Sequence, residues 1–177
     1  PEDMLTDVAE CLDRPRVEPV VQATDPQAMQ ALMTLLEEAT DPVAIIGGAG
    51  WTPGAGHYFK AFAERTGIPV AAAFRRQDAV DNDCATYAGN LGYGPSPKLV
   101  ERVKKADLLL VVGARLGEAT TDGYSLITPD HPGQILVHVH PDPNEIGRVY
   151  KTDLGICADM HEFAESAALW PDDLIDY

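Results

Sequence analysis

The residues best suited to chemistry in this sequence are glycines at the end of a short apolar run. In VAIIGGAGWTPGAGHYF, which begins at Val43, Gly47, Gly48 and Gly50 follow four apolar residues and precede a helical pattern. Such loops bind phosphate at a helix N-terminus, where backbone N–H groups point at the anion. A tight strand-to-helix turn needs the same glycines, because it requires positive φ angles. The sequence leaves both interpretations open.

This glycine loop departs from the two best-known phosphate-binding motifs. A dinucleotide fingerprint requires G-x-G-x-x-G, whereas the run from 48 to 52 is followed by Pro53. A P-loop requires Lys-Ser/Thr after its last glycine, and this stretch has no such pair. The acidic residue that an NAD site places after the second strand is also missing, since Phe74, Arg75 and Arg76 stand there. The loop is therefore neither an ordinary NAD site nor a phosphate-transfer loop.

Arginines and further glycines follow other predicted strands. Arg75 and Arg76 follow the second strand, and Arg115 follows the third. Guanidinium groups bind phosphate or carboxylate bidentately, which favours an anion site; salt bridges to the many carboxylates of the chain are the alternative. In GNLGYGP, Gly89 and Gly92 let the backbone approach a ligand closely or simply bend. The candidate anion site combines these residues with the first glycine loop.

The histidines offer little catalytic chemistry. His138 and His140 lie two apart on one side of a predicted strand, and Asp142 follows them. Two histidines and an aspartate can bind a metal, but a histidine at a strand end is more often a packed, hydrogen-bonded core residue. The sequence suggests no Ser-His-Asp arrangement, and Cys84 has no nearby basic partner. We therefore expect no catalytic centre and no metal site within this chain.

Composition limits the classes of partner. The chain has 177 residues, 45% of them apolar, and a net charge of −15, which argues against nucleic acid and against anionic membrane surfaces. Three cysteines are widely spaced and odd in number, so we expect free thiols in a cytoplasmic protein: Cys11, Cys84 and Cys157. No apolar run reaches membrane length. Because the chain starts without Met, we expect a piece of a longer polypeptide.

Short apolar runs predict the strands that position these residues. Five runs are continuously apolar and read as buried strands: PVAIIG, IPVAAAF, LLLVVG (108–113), ILVHVH (135–140) and LGICA (154–158). Residues 75–95 read as one long loop rich in Gly, Asn and Asp. Continuously apolar strands that alternate with helices indicate a parallel sheet covered on both faces. We predict a doubly wound α/β domain over residues 23–170, with the candidate ligand site at the carboxyl ends of the strands.

Cap residues predict where the helices begin and end. Asp25 and Pro26 open an amphipathic helix as N-cap and first residue, and Ser96 with Pro97 opens another. After the glycine loop, GHYFKAFAERTG reads as a helix that stops at Gly67. Asp159, with a glutamate three residues later, resembles a capping box before the last helix. Residues 1–22 show no periodicity and read as a linker.

Five segments carry a family resemblance that covers residues 22–170 in matching order: PVAIIGGAG, AFAERTGIPV, YAGNLGYGPSP, ADLLLVVGARLGE and ILVHVHPDPNEIGRVY. Together they resemble the central domain of thiamine-diphosphate-dependent decarboxylases and carboligases, with the acetolactate synthase-like branch nearest. The resemblance implies a sheet of about six parallel strands, similar to flavin- and NAD-binding domains. Residues 1–22 would then be the tail of a preceding pyrimidine-binding domain and its linker, and residues 171–177 the start of a linker to a pyrophosphate-binding domain.

The resemblance implies that the chemistry lies outside this chain. In the family, the glutamate that activates thiamine diphosphate belongs to the preceding domain, and a GDG…N motif in the following domain holds magnesium and the diphosphate. The parent enzyme would act on 2-keto acids as a homodimer or homotetramer, while this domain alone would be inactive. Two alternatives stay open: a self-standing nucleotide- or flavin-binding module, and a domain that serves only subunit packing.

The resemblance also implies which loops a nucleotide would contact. Some members bind FAD in this domain, others bind an ADP-containing group, and many bind nothing. Carried over by position, the contacting residues would be Gly47–Gly50, Gly89–Gly92, Gly113–Arg115 and Asp142.

Two departures count against FAD. Flavin-bearing synthases usually continue after the arginine of the third loop with an aromatic residue and paired aspartates, where this chain has Leu116, Gly117 and Glu118. They also carry an acidic residue where this chain has His140. We therefore expect the purified domain to be colourless.

Overall fold

A six-stranded parallel sheet organises the chain, as seen in a computed structural model that describes residues 3–18 and 20–171. The strands are β1 (Val43–Ile46), β2 (Val70–Ala72), β3 (Tyr87–Asn90), β4 (Leu108–Val112), β5 (Ile135–His140) and β6 (Leu154–Cys157). Their order is β3-β2-β1-β4-β5-β6, and every neighbouring pair is parallel. This is the strand order of dinucleotide-binding folds, so the predicted fold class is confirmed.

Strand β3 corrects the prediction that residues 75–95 form one loop. It lies at the sheet edge, is half-exposed, and its register against β2 shifts between Val70 and Ala71. Its sequence, YAGN, contains a glycine and an amide instead of a continuous apolar run. An edge strand buries less side-chain surface than a central one, so the apolar signal that marked the other strands is weak here.

Four α-helices lie among the described residues: α1 (Pro26–Glu38) precedes β1, α2 (Pro53–Thr66) and α3 (Pro97–Lys105) each connect two strands, and α4 (Met160–Ala168) follows β6. The predicted cap of α1 is confirmed, because the Asp25 side chain accepts a hydrogen bond from Gln27 N. Gly67 adopts a left-handed conformation at the end of α2, as predicted. Helix α2 begins three residues before the predicted Gly56, because Thr52 caps it and Pro53 supplies a preset φ angle.

The cap of α4 differs in detail from the predicted capping box. Asp159 Oδ1 accepts a bond from His161 N at 3.0 Å, so the N-cap is confirmed. The Asp159 N–H, which a capping box would pair with Glu162, instead donates to Gln22 O at 2.8 Å. The chain preceding α1 therefore takes the place of the glutamate and is tied to the edge of the sheet.

Two hydrophobic clusters cover the two faces of the sheet. Helices α1, α2 and α4 pack on one face, against alternate strand residues such as Ile46, Leu110 and Val137. Helix α3 and the loops after β4 and β5 cover the other face, against Ile45, Val111 and neighbouring residues. Each central strand is thus buried on both sides, which explains its continuously apolar sequence.

The segment before α1 is largely irregular and exposed. It contains a short 3-10 helix, Asp3–Thr6, and its large apolar side chains are exposed: Met4, Leu5, Val8, Leu12, Val17, Val20 and Val21. The predicted linker at residues 171–177 lies outside the described residues from 172 onwards. Within the part of the chain that the structure describes, no helix is both long and apolar enough to cross a membrane. The three cysteines are free, as expected.

Candidate functional site

The first glycine loop packs directly against the loop that follows β4. Gly48 and Gly113 both have positive φ angles of 74°, and a Cβ atom on Gly48 would overlap the carbonyl oxygen of Gly113. Gly47 N donates to Val112 O at 3.0 Å, and Trp51 Nε1 donates to Gly47 O at 2.7 Å. The close packing of the two loops therefore explains the glycines without a ligand, because only glycine permits such a close approach of two backbones.

The N-terminus of α2 is partly occupied by the protein itself. Its first residue, Pro53, has no N–H, and Thr52 Oγ1 accepts the bond from Ala55 N at 3.1 Å. The ring of His161 on α4 lies against the same turn, close enough that a Cβ atom on Gly54 would meet it at 2.9 Å. This helix end therefore presents fewer amides to an anion than its glycine-rich sequence suggests.

A cavity of about 500 Å³ opens beside the glycine loop at the carboxyl edge of the sheet. It lies between the loop after β1 (48–49), the segment after β2 (73–76) and the loop after β4 (114–120). Its walls carry apolar side chains, Phe74 and Leu116 among them, and two of its lining residues are Arg76 and Arg115. The structure thus brings Gly48 and two of the three predicted arginines to one cavity.

The three arginines have different partners. Arg76 Nε lies 3.1 Å from Asp78 Oδ1 and Arg115 Nε lies 3.7 Å from Glu145 Oε1, so the salt bridges weighed as the alternative are present in both cases. Arg75 adopts a φ angle of 60°, and its guanidinium carbon lies 5.1 Å from the centre of the Phe74 ring. Arg115 is 69% exposed despite its contact with Glu145, so its guanidinium remains accessible from the cavity.

Glu145 is a buried acid that the sequence did not single out. Its side chain is 8% exposed, and Arg148 Nη1 donates to its Oε1 at 2.7 Å, the same oxygen that faces Arg115. A carboxylate this buried needs compensation, which the two guanidinium groups supply. The sequence held no clear signal for it, because an acidic residue in the irregular stretch PDPNEIG reads as exposed to solvent.

The two histidines of β5 are core residues with hydrogen bonds to the main chain. His138 Nε2 donates to Ala114 O at 2.9 Å, which fixes the main chain just before Arg115. Burial lowers the pKa of His138, with the nearby His140 adding to the effect, and outweighs the bond to Ala114 and the charge of Glu145, which act in the opposite direction. His138 is therefore neutral near pH 7.

His140 and Asp142 form a local turn at the end of β5. Asp142 N donates to His140 Nδ1 at 3.0 Å, and the Asp142 carboxylate accepts bonds from the backbone and side chain of Asn144, both at 2.9 Å. Those bonds hold the pKa of Asp142 below its usual value, with smaller contributions from His140 and Arg115. Asp142 thus lies near Arg115 but does not line the cavity.

Gly89 and Gly92 lie apart from the main cavity. Gly89 belongs to β3, and Gly92 packs on Phe74, where a Cβ atom would meet the ring at 2.7 Å. Gly92 lines a smaller cavity of about 160 Å³ beside α3, together with the exposed Tyr93. Of the predicted site residues, Gly48, Arg76 and Arg115 line the main cavity and Gly92 lines the smaller one, whereas Gly47, Gly50, Arg75, Gly89, Gly113 and Asp142 line neither.

A further cavity of about 540 Å³ lies between α2 and residues 76–81, and its charged groups are paired. Lys60 Nζ lies 2.8 Å from Asp81 Oδ2, and Arg76 pairs with Asp78 at the rim. No cluster of three or more metal-ligating side chains occurs among the described residues. The arrangement with the clearest binding chemistry is the cavity lined by Arg115, because the Arg115 guanidinium is exposed and lies 3.7 Å from its carboxylate, whereas Arg76, which lines both cavities, pairs with Asp78. Its mostly apolar walls and one available guanidinium suit an anion attached to an apolar body.

Comparison with known families gives one match that covers most of the chain. The sequence pattern of the thiamine pyrophosphate enzyme central domain matches residues 29–167. A probable sulfoacetaldehyde acetyltransferase of Rhizobium meliloti is 34% identical over 169 residues, which is 93% of this chain and 28% of that protein. The acetolactate synthase large subunit of Corynebacterium glutamicum is 29% identical over 151 residues, or 85% of this chain and 24% of that protein.

Solved structures show the same architecture. The benzoylformate decarboxylase from Polynucleobacter necessarius superposes with a TM-score of 0.64 at 23% identity, covering 99% of this chain and 32% of that one. The similarity to relatives that the sequences show is thus also present in the fold. In each comparison the chain spans about a quarter to a third of the relative's length.

Proposed function

This chain belongs to the family of thiamine pyrophosphate enzyme central domains, and on that premise we propose that it is the non-catalytic central domain of an acetolactate synthase-like enzyme. The match over residues 29–167 is the observation that carries the proposal. The parent enzyme makes or breaks a carbon–carbon bond next to the carbonyl of a 2-keto acid, and the coenzyme supplies the carbanion-stabilising chemistry when bound. Flanking pyrimidine- and pyrophosphate-binding domains, assembled as a homodimer or homotetramer, complete it.

The residues of this chain do not fit thiamine diphosphate and magnesium. The sequence contains no GDG motif, and the two acidic side chains after β5, Glu145 and Asp142, are engaged with Arg148 and Asn144. We therefore place the coenzyme in other domains of the parent enzyme. The part played by this chain is structural, since two complete hydrophobic clusters make it a rigid body on which neighbouring domains can pack.

A secondary role in anion binding rests on one cavity. Arg76 and Arg115 line the space beside Gly48, the surrounding walls are mostly apolar, and one acidic residue, Glu118, also lines it. We propose that this cavity accepts an anionic ligand such as an ADP-type nucleotide, held mainly by the two guanidinium groups. The Gly47–Gly50 backbone contributes less than its sequence suggests, because Thr52 and Pro53 already close the end of α2.

Activity assays test the main proposal. The full polypeptide, expressed from its gene, should consume pyruvate when thiamine diphosphate and magnesium are added, and the 177-residue chain under the same conditions should not. Pyruvate consumption by the isolated chain would show that a catalytic centre has been overlooked. A parent polypeptide without a GDG…N motif after residue 177 would instead favour a self-standing module.

Titration tests the secondary role. ADP and sulfate should bind the 177-residue chain and should bind more weakly after Arg115→Ala, with Lys98→Ala, a basic residue on α3 outside the cavity, as the matched control. Equal affinity in wild type and Arg115→Ala would remove Arg115 from the site.

Flavin absorbance tests whether this domain holds FAD. The purified chain should show no flavin absorbance, and a flavin band that survives gel filtration would show that the departures at Leu116–Glu118 and His140 do not prevent FAD binding.

A further inference from the structure

We propose that Glu145 is a positioning residue that directs Arg115 into the cavity beside Gly48. The inference rests on the proposed anion site and concerns how that site is built. Two features of the β5 region converge on Arg115: the buried carboxylate of Glu145, which contacts its guanidinium, and the ring of His138, which holds the carbonyl of the preceding residue, Ala114.

The distance between Arg115 and Glu145 is short enough for the carboxylate to orient the arginine. It is also too long for a hydrogen bond, so the guanidinium donors remain available to a ligand. Arg115 Nε lies 3.7 Å from Glu145 Oε1, beyond hydrogen-bond distance but within the range of an ion pair. The same oxygen accepts a hydrogen bond of 2.7 Å from Arg148. Arg148 therefore provides the main compensation for the buried charge, and Arg115 keeps donors for a ligand.

The trio of Glu145, Arg115 and Arg148 carries a net positive charge, but a further acid lies at the cavity. One carboxylate and two guanidinium groups sum to +1, Arg115 lines the cavity whereas Arg148 does not, and Glu118, which also lines it, contributes −1. Since the chain as a whole carries −15, an exposed arginine without an anchor would be drawn towards other surface carboxylates. The contact of Glu145 with Arg115 Nε reduces the number of conformations open to the arginine side chain. The guanidinium is therefore already oriented when an anion binds.

Electrostatics and positioning predict opposite effects for Glu145→Gln, which preserves the shape of the side chain and removes its charge. If Glu145 acts only through its charge, its removal adds one positive unit near the cavity and tightens ADP binding. If Glu145 positions Arg115, binding weakens despite the more favourable charge. We expect ADP affinity to fall about fivefold to tenfold.

A double-mutant cycle with Arg115→Gln separates the two residues. We expect Arg115→Gln to weaken ADP binding, and Glu145→Gln to add no further loss in the Arg115→Gln background, because a positioning residue without its arginine has nothing to position. Arg148→Gln removes the other arginine at the same carboxylate and keeps Arg115, so it should weaken ADP binding less than Arg115→Gln does. Losses that add independently in the double variant would overturn the inference.

A ligand-free measurement keeps the inference separate from the proposed anion site. The Nε–H signal of Arg115 in ¹⁵N NMR, assigned by its disappearance in Arg115→Gln, should shift and exchange faster with water in Glu145→Gln, while that of Arg76 stays unchanged. An unchanged Arg115 signal in folded Glu145→Gln overturns the positioning role. A changed signal without any ADP binding by the wild type instead overturns the anion site alone.

Folding of the variant is checked by cooperative thermal unfolding. If Glu145→Gln does not fold, Arg148→Gln replaces it in the NMR measurement. Without its nearer partner, Glu145 should draw Arg115 closer, so the Arg115 Nε–H signal should shift and exchange more slowly. An Arg115 signal that is unchanged in Arg148→Gln would also overturn the positioning role of Glu145.

Discussion

The backbone of Gly48 approaches the carbonyl oxygen of Gly113 so closely that a Cβ atom has no room between them. Gly48 also has a φ angle of 74°. Replacing it with alanine should cost about 3 kcal/mol of unfolding free energy, because left-handed strain of about 1–2 kcal/mol adds to an overpacking cost of about 1–3 kcal/mol. Urea unfolding of Gly48→Ala measures this loss.

Two other glycines serve as graded controls for that substitution. Gly94 has a φ angle of 70° with open space around its would-be Cβ atom, so Gly94→Ala reports left-handed strain without a clash. Gly133 has open space and no positive φ angle, so Gly133→Ala should be nearly neutral or slightly stabilising. A Gly48→Ala variant no less stable than Gly94→Ala would mean that the two loops do not meet as described.

Asp107 ties the start of β4 to the turn before β1, and its contribution should depend on pH. Its carboxylate accepts bonds from Thr40 N and Oγ1 at 2.6 and 2.8 Å and from Asp41 N at 3.0 Å. Burial acts to raise its pKa, but these hydrogen bonds outweigh burial and hold the pKa below the usual 3.8. This stability is therefore complete above about pH 4 and is lost as pH falls through the lowered pKa.

Asp107→Asn tests that pH dependence. At pH 7 the variant should lose about 1–2 kcal/mol of unfolding free energy, because the amide has one acceptor oxygen where the carboxylate uses two, so at least one of the three bonds is lost and the others become neutral. The difference from wild type should shrink as the pH falls below about 4. In that range the unfolded wild-type chain takes up a proton at Asp107 more readily than the folded chain, which lowers the stability of the wild type. Urea unfolding at both pH values measures it; a difference that stays constant with pH would contradict the lowered pKa.

His138 should titrate below the usual histidine value of 6.5, because burial disfavours its charged form. NMR of the ring C–H signals, with His138 assigned by its absence in His138→Gln, measures the midpoint directly. Because the unfolded chain takes up the proton more readily, His138 makes unfolding easier as pH falls below 6.5 and towards its folded pKa. A midpoint at or above 6.5 would indicate that the ring is exposed or bound to an acid.

The sequence predicted the central sheet better than the loops, for a physical reason. Residues of β1 and β4 are buried on both faces, so their runs are continuously apolar and easy to recognise. The edge strand β3 and the acid Glu145 carry no such signal, because their roles depend on contacts between distant parts of the chain. Residue types alone could propose Arg115 for the site but could not show which carboxylate it faces.

Proteolysis tests the boundary of the domain at its N-terminal side. Residues 7–18 have no helix or strand and are exposed, and trypsin can cleave after Arg16, whereas Pro15 protects the bond after Arg14. We expect the first tryptic cut after Arg16, because an irregular, exposed backbone can enter the active site of the protease. The chain from α1 onwards is held in packed layers and should be cut later. Mass spectrometry of early time points identifies the product, and Arg16→Gln should delay it. A first cut after Lys60, inside α2, would contradict the described packing, because that bond becomes accessible only when the helix leaves the sheet.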